Sequence, residues 1–320
     1  YRARDRANDA IALYEALENK PRVSEVLNHL AAIELQDGKF DLALEKVTAA
    51  LETSKVEQDG KAGYLPQVLA QAEFIRGTVA RRQGDTKTAI DHFNRASGVA
   101  GQTGLGPLAV DSGLALGEAL LASRQSENAT SVLRRVAGAA QQLGNPVRER
   151  SACELLAQAE ASRKNFAEAV KIGTRTLQLT QQLRFEQALP IDLYNLGFFH
   201  FANNDAKQAL PFLEQASSRT GSMGKHPLVK EILYFKGLAQ LQTGATDEAR
   251  TTLGAALEAA REAKDAVKTV ASLDALAGIA MSKGEKDTAR GHLGQAIDIA
   301  GQAELKDQRK ALTKKLSSIT

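Results

Sequence analysis

A single alanine recurs along the chain at a nearly constant spacing, and this repetition constrains the fold more than any other feature. These positions, called the marker alanines below, are Ala43, Ala89, Ala129, Ala169, Ala209, Ala249 and Ala289. The first interval spans 46 positions and each of the next five spans 40. A period of about 20 to 50 residues is typical of arrays in which each unit buries its apolar face against the next. We therefore expect a stack of similar units.

A second small residue lies twelve positions before every marker alanine, and a bulky residue usually lies four positions after it. The small residues are Ala31, Gly77, Gly117, Ala157, Gly197, Gly237 and Ala277. The bulky residues are Val47, Phe93, Leu133, Leu213, Leu253 and Leu293, with Gly173 as the exception. Two helices approach closely only where small side chains face each other, and a larger residue one turn away fills the space beside them. The pattern predicts one helical hairpin in each unit.

Prolines mark the other end of the units. A proline precedes five of the marker alanines by 22 or 23 positions, at Pro21, Pro66, Pro107, Pro146 and Pro227. Proline suits the first turn of a helix, so each unit should run helix A, tight turn, helix B and loop. Aromatic residues make up 5% of the chain, and runs of Val, Ile and Thr that favour strands are missing. We expect an all-α protein without a sheet.

This order of small and large residues resembles the tetratricopeptide-repeat family, with its small residue on helix A and its alanine, bulky residue and second alanine on helix B. The resemblance covers nearly the whole chain. It implies a right-handed α–α superhelix, a solenoid whose concave wall is formed by the A helices. The family's usual period is shorter, at about 34 positions, so the units of this chain should have helices about one turn longer. Such extended repeats occur in polarity adaptors and bacterial signalling regulators.

The pattern predicts one solenoid domain over residues 1–320 with about seven helical hairpins. A leading half repeat is expected at 1–20, because Ala10 precedes Ala43 by nearly one repeat in a segment that resembles a helix B. Complete repeats are expected at 21–62, 63–104, 105–144, 145–184, 185–224, 225–264 and 265–303, and a capping helix at 304–320. Since the chain starts halfway through a repeat, we expect it to belong to a larger protein.

Charge and cysteine usage exclude several classes of function. The formal net charge of +3 arises entirely in the capping segment, so the repeats lack the sustained basic face that nucleic-acid binding requires. The basic face of that segment is interpreted as a solvated end of the stack, with contact to an acidic partner or membrane as the alternative. Cys153 is the only cysteine, which fits a reducing, cytoplasmic location. No apolar run approaches the roughly 20 residues of a membrane span.

The sequence also lacks the motifs of metal binding, phosphate binding and nucleophilic catalysis. The five histidines show no metal-ligand spacing. The glycine-rich segment that begins at Gly101 follows a predicted helix and lacks the adjacent lysine of a phosphate loop. A nucleophile elbow, the tight turn that exposes a catalytic serine, needs a preceding strand, and none is predicted here. We therefore expect no metal, no cofactor and no enzymatic activity.

Aromatic residues are concentrated in the fifth and sixth repeats, where eight of them lie between positions 185 and 235. Counting back 15, 11 and 8 positions from each marker alanine gives the helix A residues expected to face the groove. In these repeats they are Tyr194, Phe198, Phe201, Tyr234, Leu238 and Leu241. Aromatic residues on such a wall can anchor a partner segment, although the same faces would be core if longer helices shift the register. Phe199, Phe212 and Phe235 are assigned to the hairpin core.

Charged residues on earlier repeats give further candidates for partner binding. Glu154 holds a groove position in the fourth repeat. Arg81 and Arg82 are candidates for binding an acidic motif, or else form a solvated helix end. The leading hypothesis is a non-enzymatic scaffold or adaptor that binds a partner protein segment or small globular partner in its groove. The alternatives are a module that senses a peptide or small molecule, and the recruiting arm of a larger signalling enzyme.

Overall fold

The structure is a computed structural model that describes residues 2–58, 61–221 and 226–319. The described residues form sixteen helices and one pair of short strands. The helices are α1 (Arg2–Ala16), α2 (Lys20–Gln36), α3 (Phe40–Thr53), α4 (Pro66–Arg82), α5 (Thr86–Gln102), α6 (Gly106–Ala122), α7 (Ser126–Gln142), α8 (Pro146–Ser162), α9 (Phe166–Gln182), α10 (Leu189–Ala202), α11 (Ala206–Gly221), α12 (Val229–Gln242), α13 (Thr246–Glu262), α14 (Ala266–Ser282), α15 (Lys286–Gln302) and α16 (Lys306–Ser317). The strands are β1 (Lys55–Gln58) and β2 (Lys61–Tyr64). The predicted repeat boundary at residues 224 and 225 lies outside the described residues. No helix within the described ranges is both long and apolar enough to cross a membrane.

The chain divides into two compact units, Tyr1–Lys164 and Asn165–Thr320. Within each unit, consecutive helices pack against one another. The helices in the A position also contact the next A helix: α2 with α4, α4 with α6 and α6 with α8 in the first unit, and α10 with α12 and α12 with α14 in the second. Successive B helices make at most marginal contact in the described part of each unit. The A helices therefore form the inner wall of each unit, and the fold is an all-α solenoid.

The contact between the two helices of a hairpin is built from the small and bulky residues of the repeat. All seven marker alanines are 0% exposed. A Cβ atom added at Gly117 would lie 2.4 Å from Leu133 Cδ2, and one added at Gly197 would lie 2.7 Å from Leu213 Cγ. Both distances are shorter than van der Waals contact, so the leucine occupies the space that a side chain on helix A would need. The predicted packing of each small residue against its bulky partner is confirmed at these positions.

The fourth repeat departs from this pattern because Gly173 replaces the bulky residue. Phe199 of α10 fills the space instead, since its Cδ2 atom lies 3.2 Å from the position of a Cβ atom on residue 173. Leu196 Cδ1 reaches the same point at 3.4 Å. Phe199 is 3% exposed, which confirms its assignment to the core. Apolar volume that is missing from one helix is thus supplied by the next helix along the chain.

The turn between helix A and helix B keeps one geometry even where the sequence does not favour it. Gly84 has a φ of +84°, which glycine adopts without strain. Asp85 follows it and caps α5, because its carboxylate accepts a hydrogen bond of 3.1 Å from the backbone N–H of Thr88. The third repeat lacks the glycine, and Arg124 adopts the left-handed conformation there with a φ of +60°. Packing of the two helices therefore dictates the turn.

Proline marks the first turn of most A helices. Four of the five predicted prolines lie in the first turn of an A helix, at Pro21, Pro66, Pro107 and Pro146. Pro227 does not lie in a first turn, because α12 begins after it at Val229.

The expected all-α fold is confirmed, but the described residues also form one two-stranded sheet, which was not expected. β1 and β2 pair antiparallel, with Lys55 opposite Tyr64, inside the one marker interval that is longer than the others. The backbone N–H of Leu65 donates a hydrogen bond of 3.2 Å to the carbonyl oxygen of Ser54, which closes the base of this hairpin. A two-stranded hairpin is marginal alone, but helices hold both of its ends here. Strands this short hardly influence composition, so the sequence pattern gave no sign of them.

Replacing Gly197 with alanine should destabilise the second unit, since the new Cβ atom would lie 2.7 Å from Leu213 Cγ and 3.3 Å from the carbonyl oxygen of Ala209. Overpacking of this kind costs about 1–3 kcal/mol. Gly278→Ala is the matched control: Gly278 lies within α14, and apart from the adjacent backbone of that helix no atom lies within 4 Å of the added Cβ. The control should be neutral or stabilising by up to about 1 kcal/mol. Urea denaturation followed by circular dichroism measures both, and equal stabilities would contradict the proposed contact.

Candidate functional site

Aromatic residues of α10 and α12 form one connected cluster in the second unit. Phe235 lies at its centre, with its ring centroid 4.9 Å from that of Phe198, 5.8 Å from Phe201 and 5.3 Å from Tyr234. Tyr194 lies 6.2 Å from Phe235 and 6.4 Å from Phe198. Aromatic rings attract one another at centroid distances of about 4.5–7 Å. We call these five residues the aromatic surface.

Each ring of the aromatic surface is partly buried and partly exposed. Phe201 and Phe235 pack on a core cluster that includes the marker residue Ala209. Leu238 and Leu241 continue the apolar face along α12 and pack against the core of α13 to α15. The inner edges of the rings are therefore fixed by the core of the hairpins, while the outer edges are accessible to solvent.

The structure places six of the nine predicted site residues on the adjacent helices α10 and α12. They are Tyr194, Phe198, Phe201, Tyr234, Leu238 and Leu241. Phe235 was assigned to the core from the sequence, but it is only half-buried and its ring links the rings of both helices. Phe212 is also half-buried and stacks on the ring of His200.

The other three predicted site residues belong to the first unit. Glu154 accepts a hydrogen bond of 3.0 Å from Arg150 on the same helix. Arg81 pairs with Glu118, and Arg82 is exposed at the end of α4. Because the carboxylate of Glu118 already engages Arg81, an acidic motif would have to compete with it. These residues are not part of the aromatic surface.

A lysine from the following repeat borders the aromatic surface. Lys268 of α14 places its Nζ atom 4.3 Å from the ring centroid of Tyr234 and 5.1 Å from that of Phe235. The same Nζ atom lies 2.7 Å from Glu231 Oε2. The cation therefore contacts both the rings and a carboxylate, and its charge is compensated. Sequence reasoning missed Lys268 because nothing in the pattern relates it to residues on α12.

The aromatic surface carries no charge of its own at neutral pH. Burial raises the pKa of Tyr194 above the usual 10.0, and burial followed by the charges of Asp274 and Glu231 raises the pKa of Tyr234. Burial also lowers the pKa of His200 below its usual 6.5. Both tyrosines therefore keep their protons and this histidine favours its neutral form. Such a surface can bind apolar side chains, and the described residues bring no three His, Cys, Asp or Glu together to hold a metal.

Two segments of the chain match a model of the tetratricopeptide repeat, at residues 1–57 and 200–267. The second segment includes Phe201, Tyr234 and Phe235 of the aromatic surface. These two segments therefore carry tetratricopeptide repeats, and the fold is that of a tetratricopeptide-repeat solenoid. None of the curated proteins matches this sequence.

Solved structures with a similar fold come from several kinds of protein. BtubC from P. vanneervenii has 20% sequence identity and a TM-score of 0.57, with 71% of this chain and 93% of that chain covered. The apo form of the quorum sensor NprR from B. thuringiensis has 13% identity and a TM-score of 0.57, with 98% and 97% covered. A signal-transduction ATPase with a tetratricopeptide-repeat sensor from Pyrococcus horikoshii has 13% identity and a TM-score of 0.68, with 95% and 46% covered. Identities this low establish a shared fold alone.

The tyrosines of the aromatic surface should make stability sensitive to alkaline pH. A tyrosine with a raised pKa in the folded state stabilises the fold below its unfolded pKa of about 10, and this contribution is lost as pH rises toward the folded pKa. The free energy of unfolding should therefore fall above about pH 10. Tyr194→Phe keeps the ring and should make the fall smaller. Urea denaturation of both proteins between neutral pH and about pH 10.5 measures this, and identical pH dependence would contradict it.

Proposed function

We propose that this chain is a non-enzymatic scaffold that binds a segment of a partner protein on the aromatic surface. The observation that carries the proposal is a continuous, uncharged face of five rings, held at their inner edges and open at their outer edges. Rigid aromatic residues in such settings are frequent hot spots of binding energy, because few rotatable bonds are immobilised when a partner docks.

The spacing of the rings favours a helical segment as the partner. Tyr194, Phe198 and Phe201 lie at positions i, i+4 and i+7 of α10 and form one stripe. Seven residues of helix rise about 10 Å, which is roughly two turns. A partner helix that presents apolar side chains at the same spacing would lay its apolar face along this stripe. Leu238 and Leu241 on α12 would extend the contact.

The fold supports the same conclusion at a coarser level. Tetratricopeptide repeats are mainly non-catalytic interaction modules. The inner wall formed by the A helices presents side chains from successive repeats to one partner, so contacts that are weak singly add along the wall. Glu154, Arg81 and Arg82 stay proposed as additional partner contacts in the first unit.

Peptide selection tests this proposal with purified protein. Peptides selected from a displayed library against the wild type should bind a folded Phe198→Ala, Phe201→Ala variant at least about 30-fold more weakly. This factor corresponds to about 2 kcal/mol, the loss of one hot-spot residue, and it is a lower bound because the contributions of two hot spots are not additive. Phe185→Ala is the matched control, because Phe185 is a 38% exposed ring outside the aromatic surface. Affinity for the control should equal that of the wild type, as measured by isothermal titration calorimetry.

Two outcomes would contradict the proposal. Peptides that bind the double variant and the wild type equally would place the binding site elsewhere. A library that yields no specific peptide would argue against a segment-binding scaffold. Circular dichroism of each variant separates loss of the surface from loss of the fold.

A further inference from the structure

The first unit contains a cavity whose chemistry differs from that of the aromatic surface. It lies between α3 and α5 above α4, with a volume of about 410 Å³. Cavities of about 300–1,000 Å³ hold small molecules. Leu51, Leu69 and Val99 supply apolar lining, and Arg76 and Arg95 supply guanidinium groups. Thr48, Tyr64 of β2 and two carboxylates complete the lining.

The carboxylates of this cavity are already engaged. Glu73 is 4% exposed. Its Oε2 atom lies 2.8 Å from His92 Nδ1, and its Oε1 atom accepts a hydrogen bond of 3.3 Å from Arg76 Nη1. Glu52 forms an ion pair with Lys55 at the edge of the hairpin. A cationic ligand is therefore not needed to neutralise either group.

Carboxylates do not pair with all of the positive charge in the cavity. Arg95 is exposed, and within the described ranges no carboxylate lies at ion-pair distance from its guanidinium. Arg76 uses one of its N–H groups on Glu73, and a guanidinium has five such donors in total. Donors and positive charge are thus available beside an apolar floor. This combination suits an anion that carries an apolar group.

The third repeat allows a comparison of cavity volume. Its groove between α5 and α7 corresponds to the groove between α3 and α5 in the second repeat. That cavity has a volume of only about 170 Å³. Val136 fills it: a Cβ atom added at Gly113 would lie 2.4 Å from Val136 Cγ2. The second repeat has Ala96 in the register of Val136 and the buried Glu73 in the register of Gly113, so a carboxylate on α4 takes the place that the valine has in the third repeat.

The same comparison shows that one of the two guanidinium groups distinguishes the second repeat from the third. Arg135 lines the smaller cavity in the register of Arg95. Leu116, however, occupies the register of Arg76, so the second guanidinium is missing. The hairpin that carries Tyr64 also belongs to the second repeat, in the long marker interval. Two differences from the third repeat, Arg76 and the hairpin, thus coincide at one cavity.

We propose that this cavity binds a small organic carboxylate. Arg76 and Arg95 bind the carboxylate group, since planar guanidinium groups pair well with planar carboxylates. The apolar part of the ligand lies on Leu51, Leu69 and Val99. The ligand's charge offsets that of Arg95. The site belongs to the first unit and does not depend on partner binding at the aromatic surface.

Three small probes separate the two parts of this proposal. Hexanoate carries both the carboxylate and an apolar chain, acetate carries the carboxylate alone, and hexanamide carries the chain without the charge. Methyl NMR signals of Leu51, Leu69 and Val99 should shift saturably with hexanoate, with a dissociation constant below about 10 mM. Acetate and hexanamide should bind at least about tenfold more weakly. Absence of saturable shifts with hexanoate, or equal affinity for hexanamide, would overturn the proposal.

Two arginine variants locate the site with a matched control. Arg95→Gln should weaken hexanoate binding at least about tenfold, because a charge-assisted pair is lost. Arg135→Gln replaces the residue in the same register one repeat later and should leave the affinity unchanged. Both side chains are exposed, and equal melting temperatures would show that both variants fold. Equal hexanoate affinity of the two variants would contradict the assignment of Arg95.

Discussion

The structure depends on one contact, in which a bulky side chain of helix B lies against a stretch of helix A that carries only a small residue. Leu213 over Gly197 is an example, and the marker residue Ala209 lies beside it with no exposed surface. Because the bulky side chain fits only where helix A carries glycine or alanine, this contact fixes the rotation of each helix about its axis. Every other side chain of the hairpin then has a defined direction. The inner wall of each unit follows from this restriction.

Positions that the contact does not use are free to vary, and the two units use them for different chemistry. In the second unit, α10 and α12 carry rings whose inner edges pack on the hairpin core and whose outer edges are open. In the first unit, the groove beside α4 contains Glu73, Arg76 and Arg95, where the next repeat has a valine filling the space. The same helical hairpin thus supports an apolar surface in one unit and, with the β1–β2 hairpin added, a charged cavity in the other. A solenoid permits this because each hairpin contacts only its neighbours.

Much of the fold could be predicted from the sequence, because two helices pack closely only where small residues recur at regular positions. The marker alanines are buried as expected, and the exception at Gly173 is compensated by Phe199, which the pattern within one repeat could not indicate. The hairpin of β1 and β2 was missed because it replaces a loop and leaves the helices unchanged. The predicted domain and repeat boundaries stay predictions.

The candidate site was predictable only in part, since groove and core positions lie side by side on helix A. Asn28 has the same register as Tyr194, yet it is 1% exposed and donates a hydrogen bond of 2.9 Å to the carbonyl oxygen of Val68 on the next A helix. The same register can therefore lie between A helices or on the open wall, depending on side-chain size. The contacts of Phe235 and Lys268 also join different repeats, and spacing within one repeat carries no information about them.

A double-mutant cycle on Gly117 and Leu133 tests the central contact most directly. In the wild type, a Cβ atom at position 117 would lie 2.4 Å from Leu133 Cδ2, so Gly117→Ala should be clearly destabilising. In a Leu133→Ala background the space is open, and the same change should cost less by at least about 1 kcal/mol. Additive costs, within about 0.5 kcal/mol, would show that the two residues do not meet and would contradict the register on which the fold and both sites depend.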